Sequence, residues 1–162
     1  NNRIPAIVDR EAGQPVFESG AILIYLAEKT GRFLAPSGPR KWQALEWLMW
    51  QMGGVGPMLG QAHHFLKFNP GKAPYAEERY GKEAKRLYGV LGRRLAVAEY
   101  AAGDYSIADM AIFPWFARHE WQGVDLNEFS NVRRWYLAIA GRPAVGRGYD
   151  VPKTGAEIPL PG

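Results

Sequence analysis

The sequence predicts a small α/β segment followed by a larger all-α one. Two short β-rich runs, Ala6-Ile7-Val8 and Pro15-Val16-Phe17, stand close together with turn residues between them. After Ser19 the apolar spacing switches to the helical period and never returns to strand alternation. A stretch rich in Pro and Gly at residues 34–39 separates the two segments.

The first strand ends at Asp9, residues 10–14 make the turn, and the second strand ends at Phe17. Two strands alone form a hairpin that is marginal in water. The sequence also opens on Asn1 rather than on Met. The expectation is therefore that an N-terminal segment preceding Asn1 is missing. Ile22, Tyr25, Leu26 and Lys29 then fall at i, i+3, i+4 and i+7, with Ser19 at the expected N-cap and Gly31 as the stop. Residues 40–52 read as an aromatic-rich helix carrying Trp42, Trp47 and Trp50; these residues are expected in the core or in a buried dimer surface. That helix meets Gly53-Gly54 and Gly56-Pro57 and resumes through residues 59–65. Residues 75–98 form a long helix with Tyr80, Ala84, Leu87, Leu91 and Leu95 as its inner stripe. A third begins at Ser106 and runs to about His119, with Pro114 expected to kink it. A fourth is marked by Val132, Trp135 and Ile139 and stopped by Gly141 and Pro143. The Pro-containing tail from Val151 is expected to be extended.

The 162 residues suffice for one ordinary domain, or one domain and part of another. Lys and Arg number 20 against 16 Asp and Glu, a net charge of +4. The basic residues are dispersed, the densest clusters being the pairs Arg93-Arg94 and Arg133-Arg134. A nucleic-acid stripe or a polybasic membrane anchor would be denser. With 47% hydrophobic residues a real core can be buried. There is no cysteine, which removes disulfides, thiolate metal sites and a cysteine nucleophile together. The longest apolar run, residues 110–117, is far short of the roughly 18–20 residues of a membrane span. No signal peptide is visible, so a soluble intracellular protein is expected.

The strand-turn-strand-helix opening carries the strongest chemical signal. An X-Pro bond such as Ile4-Pro5 can be cis at a cost of only about 0.5–1 kcal/mol. That geometry would turn the Ile4 backbone N–H and C=O toward an extended peptide ligand. Ser19 and the first helical N–H groups make a small anion site, suited to a carboxylate. Glu18 beside it would hold an ammonium. A ligand with an α-amino and an α-carboxyl group together fits these features, as the γ-glutamyl end of glutathione does. From spacing alone, a plain helix N-cap with an acidic neighbour is the simpler reading.

Other candidates carry less. Ser106 and Asp109 have the spacing of a capping box, with Tyr105 and Met110 placed as its hydrophobic staple; the expected role is structural. His63 and His64 point about 100° apart on a helix and cannot share one ion well. His119-Glu120 begins like a zincin motif, but Gly123 stands where the second His is required. Gly54-Val55-Gly56 follows no strand and has Leu59 in place of the third glycine of a dinucleotide loop. Arg79, within Glu77-Glu78-Arg79-Tyr80, reads by itself as part of a solvated face.

The runs NNRIPAIVD and PVFESGAILIYLAEKTG, then SIADMAIFPW and RPA, resemble a cytosolic glutathione transferase. WLMWQMGGVGPMLGQAHHF followed by PYAEERY resembles the nu class of bacterial glutathione transferases, which also reduce disulfides with glutathione. The resemblance extends from Asn1 to about Gly146. It implies a thioredoxin-like domain, of which residues 1–33 are the C-terminal half, and a linker at 34–39. It further implies an all-helical bundle domain at 40–149 and an extended tail at 150–162. A cytoplasmic homodimer follows, with glutathione as co-substrate, an electrophilic or disulfide small molecule as partner, and no metal, nucleic acid or membrane. Ile4 would pair its backbone with the cysteinyl part of glutathione, Glu18 and Ser19 would bind the γ-glutamyl end, and Arg79 would reach glutathione held by the other subunit. In the family the groups touching the glutathione sulfur come from an earlier strand-helix turn, so the resemblance assigns no catalytic residue within this chain. A non-catalytic binding or assembly module on the same fold is the alternative, and an unrelated helical regulator would leave the Ile-Pro and Glu-Ser junctions unexplained.

Overall fold

The computed structural model describes residues 2–153 and 155–162. Strand β1 (Ala6–Asp9) pairs antiparallel with β2 (Gln14–Phe17), in a register that runs from Ala6 opposite Phe17 to Asp9 opposite Gln14. The turn is held by Asp9, whose Oδ1 accepts from the backbone N–H of Glu11 at 3.0 Å and of Ala12 at 3.3 Å. Its Oδ2 accepts from the Tyr25 hydroxyl at 2.7 Å and from Lys29 Nζ at 2.5 Å. Both donors lie on helix α1 (Ser19–Thr30), so one carboxylate ties the hairpin turn to the helix that follows.

Ser19 is the first residue of α1 rather than its N-cap. The cap position belongs to Glu18, at φ 68° and ψ 120°, and no side chain caps the helix. An N-cap itself takes non-helical dihedrals, usually in the β region; here Glu18, at positive φ, is the non-helical residue and Ser19 is already helical, so the boundary lies one residue earlier. Gly31 ends α1 in the left-handed conformation, as its position predicts.

Helix α2 (Gly38–Trp50) starts inside the Pro/Gly-rich stretch, with Pro39 in its first turn. The glycines beyond it do not break the chain's helical course. A π-helical segment at Gln51–Val55 carries it into α3 (Gly56–Ala62), and a second at His63–Phe68 follows. Helix α4 (Pro74–Leu95) ends three residues before the sequence expectation. Helix α5 (Ile107–Phe116) likewise stops short of His119 and runs through Pro114. Helix α6 is Ser130–Ala140. Pro143, expected only as a stop, also opens α7 (Pro143–Tyr149), where its missing N–H costs no hydrogen bond. The described tail residues carry no helix or strand, and Tyr136 pins them by donating its hydroxyl to the Pro159 carbonyl.

The main core lies where α3, α4, α5 and α6 meet, around Leu59, Leu87, Leu91, Ile112, Phe116 and Trp135. The inner stripe expected for α4 is the buried one from Ala84 onward, joined by Tyr88. Each fully buried side chain of this size contributes about 1.5–3 kcal/mol. A smaller cluster of Ala27, Leu48 and Ile107 fastens α1 to α2 and α5. Of the three tryptophans on α2, Trp47 and Trp50 pack edge to face at 5.0 Å against the core, while Trp42 is exposed.

Asp109 does more than the capping box requires. Its Oδ2 accepts from the Ser106 N–H at 3.0 Å and from the Ser106 hydroxyl, and the Ser106 Oγ accepts from the Ala108 N–H. Its Oδ1 accepts from the Ala101 N–H at 3.0 Å and from the indole N–H of Trp135 at 2.8 Å. One fully buried carboxylate therefore joins the start of α5 to α6 and to the loop after α4. Burial pushes its pKa upward against these donors, which favour the ionised form.

Candidate functional site

Because the hairpin pairs Ala6 with Phe17, the residues just before β1 and just after β2 emerge at the same end. Ile4-Pro5 and Glu18-Ser19 are brought together in this way. The Ile4–Pro5 peptide bond is cis, as expected, and Ile4 is 95% exposed. Glu18 lies outside the left-handed basin as well as the usual regions, a conformation that costs on the order of 1–3 kcal/mol and concentrates at ligand-binding positions. Its backbone carbonyl accepts from the Ile22 N–H at 2.9 Å, so the strained residue still starts the helical ladder. The first turn of α1 has no acidic side chain, so its N–H groups carry their partial positive charge next to the Glu18 cap position.

A cleft of about 550 Å³ opens here, lined by Arg3, Ile4, Glu18, Ser19, Gln51 and Trp115 among others. The structure thus gathers Ile4, Glu18 and Ser19 at one opening. Gln51 and Trp115 were not singled out from sequence. Gln51 is buried in the π-helical segment, and its placement depends on Gly56: a Cβ there would stand 3.0 Å from Gln51 Nε2 and 3.3 Å from Trp115 Cζ2. Gly20 has the same purpose in α1, where a Cβ would meet Met52 Cγ at 3.1 Å. Met52 Sδ is in turn 3.9 Å from the Ser19 hydroxyl.

A second cleft of about 610 Å³ shares Pro5, Ser19, Gln51 and Trp115 with the first. His63 stands in its wall, stacked on Trp115 at 5.9 Å and edge-on to Trp121 at 5.5 Å. Gln122 fixes the protonation of this ring. Its Oε1 accepts from the Tyr88 hydroxyl at 2.7 Å, so its Nε2 must donate, to the Trp115 carbonyl at 2.7 Å and to His63 Nε2 at 2.9 Å. His63 Nε2 is then an acceptor and the proton sits on Nδ1. Burial, and secondly the charge of Arg118, lower the pKa of His63 and keep the ring neutral. Trp115, Arg118 and Trp121 recur every three residues, but α5 ends at Phe116, so that spacing alone did not place them in one wall.

Arg79 is elsewhere. It is exposed on α4 and lines a separate cleft of about 540 Å³ with Tyr75, Glu83 and Arg86. Within one chain the structure does not bring it to Ile4, Glu18 and Ser19. The remaining histidines do not converge either. His64 lies 3.5 Å from the Asn69 amide, and His119 is buried with Nδ1 donating to the Val124 carbonyl at 3.0 Å. Among the described residues no three His, Cys, Asp or Glu side chains come together as a metal-binding set.

Comparison with known proteins places this geometry. Residues 55–143 match the family described as glutathione S-transferase, C-terminal domain. The chain is 50% identical over 153 residues to the disulfide-bond oxidoreductase YfcG of Escherichia coli, covering 91% of this chain and 71% of that protein. It is 42% identical to the disulfide-bond oxidoreductase YghU of the same organism, covering 98% of this chain and 58% of YghU. Among solved structures, a glutathione transferase from Burkholderia graminis with two glutathione molecules bound per subunit superposes with a TM-score of 0.85 at 46% identity; the match covers 95% of this chain and 69% of that one. One from Pseudomonas putida with a glutathione disulfide bound gives 0.85 at 44% identity, covering 93% and 70%. The chain spans somewhat over half to about seven-tenths of these proteins. A fold of two strands and a helix leading into a helical bundle, with a cleft at the strand-helix junction, and identities of this size and extent together establish that the chain belongs to the glutathione transferase family.

Proposed function

We propose that this protein is a glutathione transferase that also reduces disulfides with glutathione, and that Ile4, Glu18 and Ser19 hold the glutathione. The observation that carries the reading is the convergence of these three residues on one cleft at the positive end of α1. The Glu18 carboxylate takes the α-ammonium of the γ-glutamyl end, the Ser19 hydroxyl and first-turn N–H groups take its carboxylate, and the Ile4 backbone pairs with the cysteinyl unit. Lowering the thiol pKa makes the thiolate that attacks an electrophile or a disulfide sulfur. Attack on a disulfide forms a mixed disulfide and expels one thiolate. A second glutathione thiolate then displaces the remaining substrate thiol and leaves as glutathione disulfide. The 162 residues hold no cysteine, so within this chain glutathione supplies both thiols. The relatives named as disulfide-bond oxidoreductases, both from a bacterium, support this reading and a bacterial source, and the same reading sets the protein in the cytoplasm. No helix of the described residues is long and apolar enough to cross a membrane.

The same reading makes the protein a homodimer in which Arg79 forks onto a carboxylate of the glutathione held by its neighbour. Its exposure, away from the cleft of Glu18 within one chain, supports an action across subunits. Calorimetric titration of glutathione tests both parts. Glu18→Ala is expected to weaken binding about tenfold or more, from the loss of a charged hydrogen bond. Arg79→Ala is expected to weaken it while the dimer survives. Mixing the two variants is expected to restore part of the binding, since each heterodimer has one intact site. An unchanged dissociation constant for Glu18→Ala removes it from the site, and mixed dimers no better than either variant refute the trans role of Arg79.

A further inference from the structure

The second cleft has a distinct chemistry. Its walls are aromatic and apolar, with Trp115, Trp121 and Tyr149 joined by Met110 and Pro114. Arg118 is the one permanently charged side chain in its lining, and no carboxylate lines it. The guanidinium is held over the Trp121 ring at 4.7 Å and over the Tyr149 ring at 5.6 Å. Both rings also line the cleft, so the cation is fixed at the apolar surface. Among the described residues no Asp or Glu lies within ion-pairing distance of Arg118. A cation placed against aromatic faces without a counter-ion still has its planar N–H fork to offer to a carboxylate. The Tyr149 hydroxyl beside it is buried with no hydrogen-bond partner, a second polar group in this wall left to be satisfied. The neutral His63 adds no negative charge.

We propose that Arg118 selects, as the second substrate, a flat aromatic molecule bearing a carboxylate, with its ring against Trp115 and Trp121 and its carboxylate on the guanidinium. This rests on the glutathione reading above, because the two clefts share Pro5, Ser19, Gln51 and Trp115 and the reacting sulfur would lie near their junction. The aromatic walls supply affinity for any flat apolar body. Arg118 supplies the discrimination between a charged and an uncharged one, since its fork meets two anionic oxygens on a carboxylate but a single neutral acceptor on an amide of the same shape.

Calorimetric titration with 2-naphthoate and its uncharged isostere 2-naphthamide tests the assignment. The naphthoate is expected to bind about tenfold more tightly than the amide, as a charged hydrogen-bonded pair requires. In Arg118→Gln the preference is expected to fall to twofold or less, with glutathione affinity and the circular dichroism spectrum unchanged. Arg118→Lys, which keeps the charge and loses the fork, is expected to fall between. No naphthoate binding, equal binding of the two probes, or a preference that persists in Arg118→Gln overturns the proposal. A parallel glutathione titration separates the two readings. Glutathione that binds while the naphthoate preference is absent sinks only the role of Arg118. Glutathione that fails to bind while an Arg118-dependent preference persists sinks only the glutathione reading.

Discussion

Replacing Asp109 with Ala should be far more damaging than the loss of an ordinary helix cap. A cap is worth about 0.5–2 kcal/mol. Here the carboxylate also accepts from the Ala101 N–H and the Trp135 indole N–H, and Trp135 is fully buried. Each buried donor left without a partner costs about 1–3 kcal/mol. Relief of the desolvated charge returns part of this. The expected net loss is about 3–5 kcal/mol, a large share of the roughly 5–15 kcal/mol that holds a typical domain folded. Asp109→Asn keeps the shape and one acceptor oxygen but turns a donor toward another donor, so its cost should be intermediate. Urea melts of the wild type and both variants, read as midpoint shifts at constant slope, give the numbers. Glutathione affinity per folded molecule should not change. A loss below about 1 kcal/mol for Asp109→Ala would refute the hub. A variant that melts normally yet fails to bind glutathione would make Asp109 a ligand-binding residue instead.

The Asp9 carboxyl is held well below its ordinary range, first by Lys29 and then by Tyr25, while Lys29 is raised first by Asp9. A depressed acid contributes stability above its unfolded pKa of about 4 and loses it as pH falls toward the folded value. The stability gap between wild type and Asp9→Asn, from melts across pH, should be full at pH 6 and shrink below about pH 4; a gap constant down to pH 2 would contradict the pairing. Gly56→Ala places a methyl 3.0 Å from Gln51 Nε2, within both clefts' shared wall. It should cost about 1–3 kcal/mol of stability in melts and weaken glutathione binding in titrations, whereas Gly53→Ala, with nothing within 4 Å, should spare the affinity.

The features legible in the sequence were those made by neighbours along the chain. Ile4-Pro5, the hairpin, the stop at Gly31 and the Ser106–Asp109 box are each written within a few residues. Family resemblance added the helical bundle and membership of the glutathione transferase family, which the comparisons bear out. Local signals failed where backbone and tertiary packing decide. Ser19 has the chemistry of an N-cap, yet the positive φ of Glu18 shifts the helix start. The glycines at 53, 54 and 56 read as a break, but π-helical turns carry the chain through and Gly56 admits Trp115 instead. Pro143 read as a stop because its role at the start of the next helix needs the turn before it. The second cleft was hidden because His63 and Gln122 are far apart in sequence and meet only across the packed helices.

Helix α5 connects these observations. Its N-terminal end is fixed by Asp109 to Trp135 and Ala101, within the most buried part of the core. Met110, Pro114 and Trp115 on the same helix face the second cleft, and Trp115 lines the first as well. The far end is held separately, by Gln122 donating to the Trp115 carbonyl while Tyr88 on α4 orients that amide. The Trp115 carbonyl lies in the last turn of α5, where helical carbonyls lack an intrahelical partner, and Gln122 supplies a donor to it. Two anchors at opposite ends explain why losing Asp109 should lower global stability and yet leave the cleft wall in place in the molecules that remain folded. They also place the discrimination at the end that Gln122 holds, where Arg118 follows α5 and bonds its N–H to the Trp115 carbonyl at 3.2 Å. Arg118 stands just beyond this doubly anchored helix, so replacing its side chain should leave the core packing of α5 in place and change only the wall of the second cleft.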